Sequence, residues 1–452
     1  MKKSLRILFA ALACVLFALI MLIPIPGMEQ PARITLAVFA LALVLWVSEA
    51  IPLYVTAFVI AGLLAVLLTP KLPAVKEGYA VFLSPFFSPT ILLFLGGFIL
   101  AAGLERFGLD SLIASAILKR VGKKPKAIVA GFMGVTALVS MWMSNTAATA
   151  IMIAVALPLV RTLDTDDPLR IAILIGIPFG ANIGGIGTPI GTPPNAIAIA
   201  ALRNHGITLS FLQWMGIAVP VMLLLLVLTW FFITLIFPPK TKEVSFKLET
   251  ERRMGWRDWV VVGTMFATVI GWFSEPLHKI PDAIISLLPA IVFFSLGILR
   301  RKDFETLGWD VLILMGGGLS LGKAVSLSGL DKWFVNSLGM HNLSPLAVLG
   351  GFILIAIILT NFISNTSVAA LIIPLTFGFS ASSSSLVVSV AIAASASMLL
   401  PVSTPPNAIA FSSGMLKVKD MARIGAIVAG VAAVLIFVFG ILVWPILNII
   451  PK

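Results

Sequence analysis

The sequence predicts an all-α integral membrane protein whose two halves are inverted copies of one another. Three observations carry this. Apolar residues make up 60% of the chain, charged residues 11%, and the mean hydropathy of +1.11 is far from that of soluble domains. The apolar runs approach or exceed the ~20 residues a helix needs to cross a bilayer, and they are not the short alternating segments of a barrel. Finally, two unusual motifs, SNT and TPPNAIA, each occur twice and in the same order.

Taken in chain order, apolar runs bounded by charge or proline predict spans near 6–25, 34–50, 52–69, 90–107, 216–237, 258–274, 283–299, 309–327 and 424–449. The basic start MKKSLR and the stretch ALAC resemble an export signal. The apolar run continues past Cys14 to Pro24, however, so an uncleaved first span is expected. Two regions, 127–160 and 346–379, are apolar but interrupted by SMWMSNTAATA and TNFISNTSVAA. Each is followed by a second interrupted region, 170–202 and 385–413, with the double proline at its middle. Discontinuous segments in corresponding places of two halves are the best sequence pointer to a transporter site.

Treating each SNT region as a re-entrant hairpin gives about 11 crossings plus two hairpins. Basic residues then divide as 22 inside against seven outside, the outside ones being Arg33, Lys71, Lys76, Arg203, Lys279, Lys332 and Lys452. A full crossing at either SNT would move the Arg300–Lys302 cluster to the wrong side. The N-terminus is therefore cytoplasmic, the C-terminus outside, and the two hairpins enter from opposite faces. LGGFILAAGLERFGLD at 95–110 aligns with GGGLSLGKAVSLSGLD at 316–331, each preceding a stretch of amphipathic pattern. The interval Ser144 to Thr192 is 48 residues and Ser364 to Thr404 is 40, so the copies have drifted around fixed motifs. A basic, polar linker at 238–258 joins the halves.

The motifs offer hydroxyls, carboxamides and broken backbone, with no Asp, Glu, Lys or Arg within any of the four. Interrupted backbone at membrane depth is tolerated where it lines a cavity. A helix restarting there points free N–H groups and its positive end into that cavity, and a proline at the restart lacks the donor that would otherwise be orphaned. Carbonyls on the other side of the break suit a hard cation such as sodium. A dianion at this site would meet helix ends and neutral donors only. Cations bound beside it supply the missing charge, which couples the two.

Other readings are weaker. A single SNT in a membrane helix is ordinarily packing glue, but two paired, inverted copies are not explained that way. The net charge of +12 is read as topology rather than nucleic-acid binding. A lone cysteine excludes disulfides and a cysteine-based metal site. GIGTPIG at 185–191 fits neither a Walker loop nor a dinucleotide fingerprint. His205, His278 and His341 are read as interfacial, and Lys323, inside an apolar span, as snorkelling to the interface. No hydrolytic constellation is present for an intramembrane enzyme, and an open channel has no need of paired broken helices.

Ser144-Asn145-Thr146 and Ser364-Asn365-Thr366, each followed by TPPNAIA, resemble the paired signature of the divalent anion/sodium symporter (DASS) family, which includes INDY-type bacterial dicarboxylate transporters. The resemblance covers nearly the whole chain. It implies a homodimer in the inner (plasma) membrane, with scaffold and transport domains working as an elevator, and no enzyme activity. Scaffold helices would occupy 1–89 and 259–308, and the inverted repeats 90–237 and 309–452. It further implies that Ser144, Asn145, Thr146, Thr192, Ser364, Asn365, Thr366, Thr404 and Pro405 meet a small dianionic carboxylate. Sodium would bind once in each half: Ser140, Ser144, Asn145 and the backbone near Gly191 in the first, and Thr360, the Ile363 carbonyl, Asn365 and Ser403 in the second. The implied activity is sodium-driven import of C4-dicarboxylates, with citrate, sulfate or dicarboxylate exchange as alternatives within the same fold.

Overall fold

The computed structural model describes residues 3–244, 253–337, 339, 343–379 and 383–447. Lys2, Lys247, Arg252, His341, the C-terminal end with Lys452 and part of the 238–258 linker lie outside the described residues. Among the described residues every regular element is helical, and nine helices are long and apolar enough to cross a membrane. Burial separates centre from periphery. The helical stretch Leu169–Gly187 is 89% buried over its apolar window, whereas Lys3–Leu22 is 6% buried and exposes Ile7, Leu8 and Leu12. An apolar outer face on a helix of that length is solvated by lipid.

Each SNT region folds as two helices joined at the motif. In the first, Pro125–Ser140 ends at the break and Asn145–Thr162 begins after it. In the second, Pro345–Thr360 and Asn365–Thr376 do the same. The serine of each motif is an N-cap whose Oγ accepts the backbone N–H of the third helical residue: Ala147 N to Ser144 at 3.2 Å and Ser367 N to Ser364 at 3.1 Å. Such a cap contributes about 1 kcal/mol and fixes where the second arm starts.

The TPPNAIA regions are broken helices. Leu169–Gly184 passes through a short 3₁₀ turn, Gly185–Gly187, and restarts as Pro193–Asn204. Ser383–Ala394 restarts as Pro405–Phe411. In both, the proline pair fills the first turn, where a missing N–H costs nothing. The first broken helix presses against hairpin arm Pro125–Ser140 along Gly176, Gly180 and Gly184. A Cβ at Gly180 would come within 2.6 Å of the Met133 carbonyl, and one at Gly184 would meet the Ala137 backbone.

One expectation needs correction. The span expected near 283–299 is not one helix, because Asp282–Ile285 and Leu288–Ser295 are separated by a turn. Pro289 removes the N–H that would bond back to the Ile285 carbonyl. The start of the polar linker is tied to the bundle. Lys240 N and Thr241 N donate to the Asp167 carboxylate at 3.2 and 3.0 Å, and Val244 N donates to the Lys123 carbonyl at 3.1 Å.

Candidate functional site

Both breaks and both hairpin tips line one cavity of about 820 Å³. Four helices begin at its wall: Asn145–Thr162, Pro193–Asn204, Asn365–Thr376 and Pro405–Phe411. Each N-terminus carries a partial positive charge and free N–H groups, so their convergence favours an anion. The side chains around it carry charge of the opposite sign. Glu49 and Asp310 line the cavity, and no Lys, Arg or His does among the described residues. Glu49 itself adopts the left-handed conformation (φ 48°) that closes helix Gln30–Ser48.

The nine residues expected to meet substrate, Ser144, Asn145, Thr146, Thr192, Ser364, Asn365, Thr366, Thr404 and Pro405, all line this cavity. Of those expected around sodium, Gly191, Ile363 and Ser403 also line it, whereas Ser140 and Thr360 lie behind the tips, fully buried.

Behind each tip sits a cluster of oxygens built alike. Ser140 Oγ is 2.6 Å from the Asn145 carboxamide and 2.9 Å from the Ala181 carbonyl. The same carboxamide atom lies 3.3 Å from the carbonyls of Ala181 and Gly191. In the second half Thr360 Oγ1 is 2.8 Å from Asn365 Oδ1 and donates to the Ala394 carbonyl, with Ser397 Oγ 3.0 Å from the same Oδ1. A hydroxyl has one proton, and Ser140 and Thr360 each face two acceptors. In each cluster one close approach therefore calls for an amide nitrogen turned inward or for a cation among the oxygens. A set of hydroxyl, carboxamide and backbone carbonyls matches the donors that hard cations take. Gly185 and Gly191 make the first cluster possible, since a Cβ on Gly185 would come 2.6 Å from Asn145 Oδ1 and 2.9 Å from the Gly191 carbonyl.

Several residues of the site were not singled out in the sequence. The carbonyl ending each first hairpin arm is satisfied from the opposing broken helix: Thr188 Oγ1 donates to Met141 O at 2.5 Å, and Ser403 Oγ to Asn361 O at 3.0 Å. Ser403 thus has a structural bond to the tip. The asparagine of each TPPNAIA folds the restarting helix back onto its break. Asn195 Nδ2 reaches the carbonyls of Gly185 (3.0 Å) and Thr188 (2.8 Å), and Asn407 Nδ2 that of Leu400 (3.0 Å). The sequence signal was the identical asparagine in both heptapeptides. Asn182, 1% exposed, lines the cavity and donates to Thr404 Oγ1 and Asn407 Oδ1, each at 3.2 Å.

Outside the spans, burial raises the Asp110 and Asp331 carboxyls, each offset in part by a following backbone N–H. Each aspartate sits two residues past a left-handed glycine, Gly108 or Gly329, at the aligned ends of the helices Pro89–Arg106 and Trp309–Ser328.

Comparison with known proteins places the chain among membrane transporters. A Haemophilus influenzae protein described as an uncharacterized transporter is 35% identical over 443 residues, covering 92% of this chain and 93% of its own. The sodium-dependent dicarboxylate transporter SdcS of Staphylococcus saprophyticus is 32% identical over 461 residues, covering 91% and 87%. SdcS of Staphylococcus aureus strain USA300 is 31% identical over 457 residues, covering 90% and 86%. Among solved structures, the YdaH transporter of Alcanivorax borkumensis shares the fold, with a TM-score of 0.57 at 13% identity over 89% of this chain and 100% of that one. The profile of the CitMHS family, described as citrate transporter, matches residues 43–388. With this profile match over most of its length and these relatives, the chain belongs to the citrate transporter family, a DASS-like family of multi-pass membrane transporters.

Proposed function

We propose that this chain is a sodium-coupled secondary active transporter that imports C4-dicarboxylates such as succinate, malate or fumarate. One observation carries the reading. Four helix N-termini from the two halves converge on a cavity that has two carboxylates and no basic side chain, with an oxygen cluster behind each tip. Helix ends alone are weak counter-charges for a dianion, and Glu49 and Asp310 oppose it. Cations in the two clusters neutralise that charge, so anion and sodium bind together. The relatives named as sodium-dependent dicarboxylate transporters support this substrate and this ion.

The finer mechanism follows from the repeat. Of eleven crossings, three join one re-entrant hairpin in each of two inverted copies, 90–237 and 309–452, and the copies carry the site between scaffold helices at 1–89 and 259–308. The transport unit moves as an elevator within a homodimer of the inner (plasma) membrane, N-terminus in the cytoplasm. Glu49 and Asp310 stand at ends of spans that the basic-residue count assigns to the cytoplasmic side, so the cavity as it stands faces inward.

The family's description favours citrate as the second reading. A substrate panel in proteoliposomes at two pH values separates dianion from trianion. Uptake of succinate is expected to collapse when sodium is replaced by choline, and unchanged uptake would sink the coupling. Counterflow from preloaded liposomes without a sodium gradient separates symport from exchange.

A further inference from the structure

Helix Trp309–Ser328 carries Lys323 at a pocket of about 200 Å³, apart from the central cavity. Lys323 has no ion pair among the described residues. Unpaired cations at membrane depth are costly and are kept where they work.

The internal alignment says what this pocket is. Phe98, Ala101, Ala102 and Glu105 of the first half align with Leu319, Gly322, Lys323 and Ser326 of the second. The first set lines a vestibule of about 550 Å³ that shares Phe98, Ser144, Thr146 and Val311 with the central cavity. It is the way in from the side of Arg106 and Asp303. The second set lines the small pocket, and no residue of that pocket lines the cavity. Its far wall is Pro374 and Phe377. A Cβ on Gly322 would lie 3.1 Å from Pro374, His205 stacks on Phe377 with ring centroids 3.7 Å apart, and His205 Nε2 meets Ser326 Oγ at 3.4 Å.

We propose that this pocket is the collapsed outer vestibule, and that Lys323 is the cation that draws the dianionic carboxylate into it when it opens. The inference rests on the inverted-repeat reading above. In such a protein alternating access moves one repeat or bundle against the other around the site, and because the copies are inverted, the positions aligned with today's open vestibule are placed to line the opposite one after that movement. The copies differ where charge matters. The outer path has Lys323 where the inner has Ala102, and Ser326 where the inner has Glu105. Attraction on the outer side and a carboxylate on the inner side lower the half-saturating dianion concentration outside relative to inside. His205, read from sequence as merely interfacial, becomes part of the closed outer gate.

The test measures both faces of the full-length protein, in right-side-out and inverted vesicles. Lys323→Gln is expected to raise the half-saturating outer succinate concentration about five- to tenfold at low ionic strength and to flatten its salt dependence. Maximal rate and inner-face half-saturation stay as in the parent, and Lys323→Arg retains the parent behaviour. No change on the outer face, or an equal change on both, overturns the assignment. A second measurement needs no transport. Cys14 is the only cysteine, so Cys14→Ser combined with Lys323→Cys leaves a single thiol. A membrane-impermeant anionic thiol reagent added outside should modify it, at a rate that changes with sodium and succinate. A thiol never reached from outside overturns the vestibule. A parent protein that moves no dicarboxylate, with that thiol still labelled from outside, refutes the proposed substrate and leaves the vestibule standing.

Discussion

Asn182 and Asn407 join the two broken helices carboxamide to carboxamide, Nδ2 to Oδ1 at 3.2 Å. The same Nδ2 donates to Thr404 Oγ1, the N-cap of the helix that starts at Pro405. One side chain of the first half therefore holds the beginning of a second-half helix in place. Asn182→Ala removes both bonds and leaves the buried Asn407 Oδ1 unpaired, while Thr404 Oγ1 keeps the Asn407 N–H at 3.3 Å; one buried unpaired acceptor costs about 1–3 kcal/mol. Thermal unfolding in detergent should show a lower Tm, together with a weaker substrate-induced rise. An unchanged Tm would mean the bond between the halves contributes nothing.

The two oxygen clusters make a sharper prediction. Asn145→Ala and Asn365→Ala each remove the carboxamide that bridges tip and break, to the Ala181 and Gly191 carbonyls in the first half and to Ser397 Oγ in the second. Each variant should still fold and run as the parent does on size exclusion. Sodium-dependent uptake should fall at least tenfold, roughly 1.4 kcal/mol or more. Normal uptake by both variants would show that the clusters are packing features.

Gly185→Ala tests the first cluster without touching a ligand. The added methyl lies 2.6 Å from Asn145 Oδ1 and 2.9 Å from the Gly191 carbonyl, so the cluster must spread. Gly134→Ala, in the neighbouring hairpin arm, has nothing within 4 Å and serves as the control. The sodium dependence of uptake in Gly185→Ala should shift to higher concentration and lose steepness, because one of the two proposed cation sites is spoiled. Identical sodium curves for both glycine variants would remove Gly185 from the site.

What could be read from the sequence was what local chemistry dictates. A serine before Asn-Thr is an N-cap and a proline pair is a first helical turn, so the breaks and the helix starts fall where the motifs stand. The helical stretches over the long apolar runs follow from composition in the same way. The partners of those motifs were not legible, because nothing near Met141 announces that Thr188 will satisfy its carbonyl, 47 residues away. Ser397 is likewise one serine in a run of small residues until folding brings it to Asn365. The split of the span near 283–299 had a visible cause in Pro289, which composition alone overrode. Asn182 gave no sign, since its role depends on a helix 222 residues later.

The attachment of the linker should depend on pH. Burial pushes the Asp167 carboxyl up, but donors from Thr241, Leu169 and Lys240 together outweigh burial and hold it below the ordinary carboxylate range. Its Oδ2 takes Thr241 Oγ1 at 2.5 Å and Thr241 N at 3.0 Å, and its Oδ1 takes Leu169 N at 2.9 Å. A carboxylate whose folded pKa is depressed stabilises the protein above its unfolded value of about 3.9, and that contribution is lost as pH falls through the folded value. The parent should therefore hold its Tm advantage over Asp167→Asn at pH 7 and lose it progressively below about pH 4. Asp167 caps helix Leu169–Gly184 as well as holding the linker, so limited proteolysis separates the two effects. Faster cleavage within 240–258 in Asp167→Asn, with the helix core still protected, is the expected pattern. A Tm difference that stays constant from pH 7 to pH 3 would mean that the charge of Asp167 is not what holds the linker.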